Sequence, residues 1–462
     1  MTSADFVQPL VRAGMTPHEA AHKAALFART AEVLAARTQG DARPATDAVM
    51  QWFVPGRIEV LGKHTDYAGG RSLLCAVERG FAVSARARAD RVVRVIDIRR
   101  GDESLFALDA DQRAEPGWRT YPATVVRRLA RNFPPLPTTS ALLRGADIVL
   151  ASDLPPAAGL SSSSALIIAI FLVLRDVNGL DAHPAYRDAI QSREDLAAYL
   201  GSVENGRPFR TLAGDHGVGT KGGSQDHTAI LCTDAGHVSV HGYAPARVER
   251  RVPLSDALTF IVASSGIAAD KAGAVKERYN HAARRVEAML ECWNAATGRR
   301  DETLFDAVHA SPGGPEAVRE AIRASTHPQF DASSLMTRLD QFLFEALEAV
   351  PAGAEALARS DRRAFGDITA RSQRAAEAWL DNQIPETIAL ARRARMLGAI
   401  ASSAFGAGFG GSVWALVSTG DASAFLERWR DAYRREHPDA AARAEFFATR
   451  AGPPGTRIYA RS

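Results

Sequence analysis

Asp153-Leu154-Pro155-Pro156-Ala157-Ala158-Gly159-Leu160-Ser161-Ser162-Ser163-Ser164-Ala165 stands between two apolar stretches of different character. Ahead of it, Ala146-Asp147-Ile148-Val149-Leu150 is short and reads as a strand. Behind it, the apolar run from Ala165 to Leu174 is too short for a membrane span of about 20 residues and reads as a buried helix. The segment is therefore a strand-to-helix turn. A helix start offers unpaired N–H groups and the positive end of the helix dipole, both suited to phosphate. A serine at that place also caps a helix with no ligand at all. Four in a row exceed what capping uses, and the excess hydroxyls suit phosphate oxygens or Mg²⁺.

Two other segments share this density of glycine. Pro55-Gly56-Arg57-Ile58-Glu59-Val60-Leu61-Gly62-Lys63-His64-Thr65-Asp66-Tyr67-Ala68-Gly69-Gly70 crowds an acceptor carboxylate and cationic donors between glycines. That composition serves a polar ligand or an ordinary polar hairpin. Phe405-Gly406-Ala407-Gly408-Phe409-Gly410-Gly411-Ser412-Val413-Trp414 contains a GxGxxG pattern but enters a strand, which argues against a dinucleotide-binding turn. Gly217 to Gly223 does not fit GxxxxGK[ST], so any nucleotide chemistry is not of the P-loop type.

In this order the three segments resemble the galactokinase branch of the GHMP kinases. The segment at 55–70 resembles its sugar-binding signature, that at 153–165 its Pro-x-Gly-x-Gly-Leu-Ser-Ser-Ser phosphate loop, and that at 405–414 its C-terminal glycine loop. Trp118-Arg119-Thr120-Tyr121 resembles the Trp-x-x-Tyr helix near the family's adenine pocket. Gly222-Gly223-Ser224-Gln225-Asp226-His227 resembles the segment with the catalytic aspartate, and Tyr279-Asn280 the family's Tyr-Asn pair. The likeness runs from about residue 50 to about residue 420. It implies an α+β, two-lobed GHMP kinase fold, with an N-terminal lobe like ribosomal protein S5 domain 2 and a ferredoxin-like C-terminal lobe. It also implies an ATP-dependent kinase that phosphorylates a sugar hydroxyl, the anomeric one of galactose or a close relative. The expected division is a helical extension at 1–45, an N-terminal kinase domain at 46–252 and a C-terminal one at 253–462.

The resemblance also implies roles. Asp226, after a Gly-Gly pair, is the candidate base. Arg57 is its partner, which would keep the carboxylate ionised and stabilise charge on the transferring group. Ser163 and Glu204 are the implied Mg²⁺ ligands, with the serine register open by one. Gly159, Leu160, Ser161, Ser162, Ser163 and Ser164 form the implied ATP phosphate loop. Trp118 lies against adenine or in the core. On the sugar side are Arg57, Lys63, His64, Asp66, Gly223 by its backbone, Asp226 and Tyr279. The Asp66 carboxylate can accept from two adjacent hydroxyls, whereas His64 reads as structural more than catalytic.

The departures carry information. Galactokinases usually have glutamate at the position of Lys63, where it accepts from the hydroxyl at sugar C6. A lysine only donates. Either the substrate differs at C6, as in galacturonate, or Lys63 turns to a phosphate or neighbouring carboxylate and galactose is unchanged. Ala157 and Ala407 stand where glycine is usual. Residues 207–218 form an insert that reads as a lid or rim, and Asn382-Gln383-Ile384-Pro385-Glu386 only partly keeps the family's Ser-x-Pro-Glu-Leu-Asp.

Bulk properties agree with a soluble enzyme. The 462 residues favour two domains, and 46% hydrophobic content allows a substantial core. A net charge of +3 without a dense basic run argues against nucleic acid. Five lysines stand among 56 basic residues, a skew that a GC-rich genome explains. Cys75, Cys232 and Cys292 form no CxxC pair, which points to a reducing compartment. No leader-like or membrane-spanning pattern is read, so a cytoplasmic protein is expected, monomeric or a weak homodimer, with sugar and ATP as its partners. Helical spacing is read at 17–38, 270–296, 335–358 and 363–397, and loops at 134–137 and 311–315. Two rival readings remain. A GHMP kinase for another alcohol, such as mevalonate or homoserine, is disfavoured by Asp66-Tyr67. A non-catalytic sugar and ATP sensor is disfavoured by Asp226, Arg57 and Glu204.

Overall fold

The structure is a computed structural model that describes residues 2–38, 48–135, 142–268, 273–310 and 313–459. The loops expected at 134–137 and 311–315 lie partly outside them. Among the described residues, twelve strands fall into two sheets. The first holds β1 (Met50–Leu61), β2 (Arg71–Ala87), β3 (Val92–Asp97), β4 (Asp102–Ala107), β5 (Ala146–Ser152), β6 (His237–Tyr243) and β7 (Ala246–Pro253). The second holds β8 (Leu258–Ser264), β9 (Ala401–Phe405), β10 (Ser412–Ser418) and β11 (Phe446–Thr449), in the order β11-β8-β10-β9. The last strand, β12 (Thr456–Arg457), belongs to the first sheet.

In the first sheet the order is β12-β1-β2-β5-β3-β4, with β6 and β7 branching from β2. The branch exists because β2 is long. Its first part pairs with β6 (Leu73 opposite Val240), and its second part pairs with β5 (Val83 opposite Leu150). β1 is buried along its whole length, so both of its faces need cover. The apolar helix Ser162–Asn178 and the helix Gln225–Cys232 pack on it, and β9 of the second sheet also reaches it.

The chain passes from one sheet to the other between Pro253 and Leu258. The chain returns at its end, where β12 pairs with β1 (Trp52 opposite Arg457) and covers an edge that would otherwise be open. The extension is also no appendage. Its helices Ala4–Arg12 and Pro17–Thr38 bury Phe6, Leu10 and Phe27 against Phe53, Ala82 and Ile458. The first of these helices was not expected, since Pro9 lies inside it.

The insert at 207–218 is not a lid. Asp215 Oδ2 accepts from Arg127 Nε at 2.7 Å, and its Oδ1 lies 3.4 Å from Arg128 Nη1. All three side chains are buried. Removing one member of such a group strands the remaining charges away from water. Asp215→Ala is expected to cost about 3–5 kcal/mol in urea unfolding, and to open the insert to trypsin in the native state.

Candidate active site

The serine turn is shaped by its backbone. Ala157, Gly159 and Ser161 take φ of 50°, 75° and 60°, so left-handed residues alternate through the turn. Such alternation gathers successive N–H groups into a concavity suited to an anion. It also explains why glycine is expected at 157, since the left-handed region costs an L-residue about 1–2 kcal/mol. The helix Ser162–Asn178 follows directly, with its first N–H groups unpaired by construction. Ser161 Oγ is buried without a hydrogen-bond partner among the described residues. The second sheet braces the turn, with Ser412 Oγ donating to Ala158 O at 2.6 Å.

Beside this turn lies a small, partly open cavity. It is walled by the end of β1 and the turn after it, the helix Arg193–Asn205, residues 220–227, Tyr279 and the third glycine loop. Arg57 joins its parts. Its Nε donates to Asp226 Oδ1 at 2.9 Å, its Nη2 lies 2.8 Å from the same oxygen, and its Nη1 donates to Gly159 O. One guanidinium thus ties the candidate base to the phosphate turn.

The serine register, left open by one in the sequence, has Ser164 nearest the carboxylates. Ser164 Oγ donates to Glu204 Oε2 at 2.7 Å and lies 3.4 Å from Asp226 Oδ2. Ser164 and Glu204 line the cavity, whereas Ser163 does not. The reason is helical geometry, since successive side chains leave a helix about 100° apart. A hydroxyl with two carboxylates is a hard oxygen set, so these residues fit Mg²⁺. His227 Nε2 sits 3.3 Å from Glu204 Oε2.

On the opposite wall, Asp66 Oδ2 accepts from the Gln225 backbone N–H at 3.2 Å. Gly223 is needed here, because an added Cβ would meet Asp66 Oδ2 at 2.6 Å and Tyr67 N at 2.9 Å. Burial raises the Tyr279 phenol well above its ordinary pKa, so it is a hydroxyl donor at any physiological pH. His64 holds walls together. Its Nε2 is 3.1 Å from Ala407 O and its Nδ1 is 2.9 Å from Tyr67 Oη. The carbonyl can only accept, so Nε2 carries the proton and Nδ1 accepts from Tyr67. Ala407 therefore serves through its carbonyl. Asn382 braces the same loop, accepting from Phe409 N at 2.6 Å.

Lys63 departs from the sugar-side expectation. It is buried outside the cavity lining, with Nζ donating to Ser372 Oγ at 2.6 Å. Ser372 donates onward to Glu345, which also accepts from Gly62 N at 2.8 Å. The ammonium is drawn to this buried polar cluster and away from the ligand space. Trp118 does not line the cavity either; its Nε1 donates to Asp102 Oδ2 at 2.9 Å. Gly159, Leu160, Ser161 and Ser162 stand beside the cavity but not in its lining.

Sequence reasoning missed Glu59, Thr220, Gln225 and His227, which all line the space. A signal for Glu59 existed: it stands two residues after Arg57 on one strand, where alternate side chains share a face. Burial raises its carboxyl pKa to about 7, against the pull of Lys63 and Arg57.

Comparison with known proteins gives a consistent picture. Residues 43–87 match the galactokinase galactose-binding signature. Residues 120–208 and 354–435 match the N-terminal and C-terminal GHMP kinase domains. A galactokinase from Roseiflexus sp. is 30% identical over 270 residues, 58% of this chain and 62% of that protein. One from Chloroflexus aggregans is 31% identical over 250 residues, 53% of this chain and 55% of that protein. The chain therefore spans less than two thirds of the length of these curated relatives. A crystal structure of Lactococcus lactis galactokinase complexed with galactose superposes with a TM-score of 0.72 at 22% identity, covering 92% of this chain and all of that one. That likeness speaks for the fold.

The register predicts an asymmetry between neighbouring serines. Ser164→Ala is expected to raise the Mg²⁺ concentration for half-maximal ATP turnover by roughly 10- to 100-fold. Ser163→Ala should leave it unchanged, as read from initial rates over a Mg²⁺ series.

Proposed function

This chain belongs to the GHMP kinases and carries the galactokinase signature, and on that premise we propose that it transfers the γ-phosphoryl group of ATP to the anomeric hydroxyl of galactose or a close relative. The observation that carries the reading is Arg57, which binds Asp226 and the Gly159 carbonyl at once. That contact sets a base for a hydroxyl against a turn suited to phosphate.

The steps follow from the geometry. Asp66 accepts from sugar hydroxyls and Tyr279 donates, which fixes the ring. Asp226 accepts the proton of the attacking hydroxyl as the new O–P bond forms. The bond from γ-phosphorus to the bridging oxygen breaks, and ADP leaves with the electron pair. Arg57 pairs with Asp226 and would stabilise charge on the transferring group. The N–H groups of residues 157–164 cradle the nucleotide phosphates. Mg²⁺, held by Ser164 and Glu204, would neutralise phosphate charge.

The galacturonate alternative loses its support. The Lys63 ammonium faces Ser372, while Glu59, Asp66, Glu204 and Asp226 all line the cavity, so a further carboxylate would be repelled. The three cysteines are free and buried, and no helix among the described residues is long and apolar enough to cross a membrane. A reducing cytoplasm suits such a protein.

Loss of the base should stop chemistry and spare binding. Asp226→Ala is expected to lower galactose-dependent ADP release about 10²- to 10⁴-fold, with galactose affinity by calorimetry largely kept. Turnover in Asp226→Ala within about tenfold of wild type would contradict the assignment. Saturable galactose binding by wild type without any turnover would favour the sensor reading.

A further inference from the structure

Glu59 is a cavity-lining carboxylate that the steps above do not use. Its side chain is almost fully buried in the wall formed by β1. Its Oε2 accepts from Gln225 Nε2, and Gln225 is clamped in turn, its Oε1 accepting from Ser72 Oγ at 2.7 Å. Its Oε1 is buried and has no hydrogen-bond partner among the described residues. A buried acceptor without a donor is costly, and such an atom calls for a reason. Here the geometry supplies one: one oxygen of the carboxylate is locked by the protein, and the other is buried without a donor in a residue that lines the cavity, where a small side-chain turn would bring it to a ligand.

We propose that Glu59 is a sugar-contacting residue, whose Oε1 accepts a hydrogen bond from a hydroxyl of the bound sugar, or from the ammonium of an amino sugar. The proposal rests on the sugar-kinase reading and extends it to the substrate classes the site accepts. Position 63, the other candidate for a polar contact on this wall, is occupied by a donor that faces Ser372. The charges facing Glu59 are Arg57 on its own strand, Lys63 in the following turn and Glu345 from residues 344–349, with Asp66, Asp226 and His64 elsewhere in the cavity. Carboxylates outnumber cations there, so neutral and cationic sugars are favoured over anionic ones. Glu59 ionises near neutrality because of its burial, and only the ionised form is a pure acceptor. Sugar affinity should therefore rise as pH increases through about 7.

The structure also separates this role from a merely structural one. A carboxyl whose folded pKa is raised is costly once the unfolded chain ionises, and that cost grows as pH climbs from the ordinary carboxylate range through the folded pKa. Replacing Glu59 by glutamine should therefore raise Tm relative to wild type at about pH 8, and change it little at about pH 5.

The test is calorimetric titration of nucleotide-free protein with galactose, galactosamine and galacturonate, for wild type, Glu59→Gln and Glu59→Ala, with Tm measured alongside. The expected result is a loss of roughly 10- to 100-fold in galactose affinity for both variants, with Glu59→Gln at least as heat-stable as wild type. Its affinity should also lose the rise with pH, and its relative discrimination against galacturonate should weaken. Galactose affinity within about twofold of wild type in folded Glu59→Gln would overturn the proposal and leave a trapped water as the partner of Oε1. That result would leave the sugar-kinase reading intact. Absence of saturable binding of any of the three sugars by wild type would overturn both.

Discussion

Everything in the site is arranged around one guanidinium. Arg57 leaves β1 buried, and its donors divide between the Asp226 carboxylate and the Gly159 carbonyl. A charged hydrogen bond in a dry setting is stronger than its counterpart in water, and a charge left unpaired there is costly. The pair therefore constrains two segments that lie far apart in sequence. The helix that begins at Gln225 and the turn before Ser162 hold their spacing because both answer to Arg57. The first sheet supplies the rigidity this needs, with β1 covered on both faces. The second sheet contributes Ser412 and Ala407, which fasten the turn and the His64 wall.

Much of this was legible in the sequence, for identifiable reasons. The serine turn announced itself because a strand, a run of hydroxyls and an apolar helix appear in succession. Asp226, Arg57, Asp66 and Tyr279 were found because their motifs are contiguous and keep their spacing. What failed were features set by three-dimensional placement. The serine register turns on which helical face meets Glu204, and four identical residues cannot reveal that. Lys63 was read from its motif position, but its ammonium is decided by Ser372 and Glu345, about three hundred residues further on. The return of β12 to β1 was hidden because the strand is short and its partner lies at the other end of the chain. The insert was read as a lid or rim because the pairing of Asp215 with Arg127 and Arg128 cannot be seen from length alone.

The charge balance of the cavity links stability to specificity. A wall that carries Glu59, Asp66, Glu204 and Asp226 beside Arg57 would be repulsive if empty of cations and donors. A bound cation or hydrogen-bond donor would relieve that repulsion. Sites of this kind are stabilised by ligand and destabilised without it, which is why their residues break the rules of a well-paired core. Gly223 shows the same economy of space: the backbone lies so close to Asp66 that no side chain fits between them.

The most direct measurement is a double-mutant cycle on kcat/KM using Arg57→Met, Asp226→Asn and the pair together. If Arg57 and Asp226 act as one unit, the double variant is hardly slower than the worse single variant, and the losses are far from additive. Losses that simply multiply would mean that the two residues work independently, and would contradict the account at its centre.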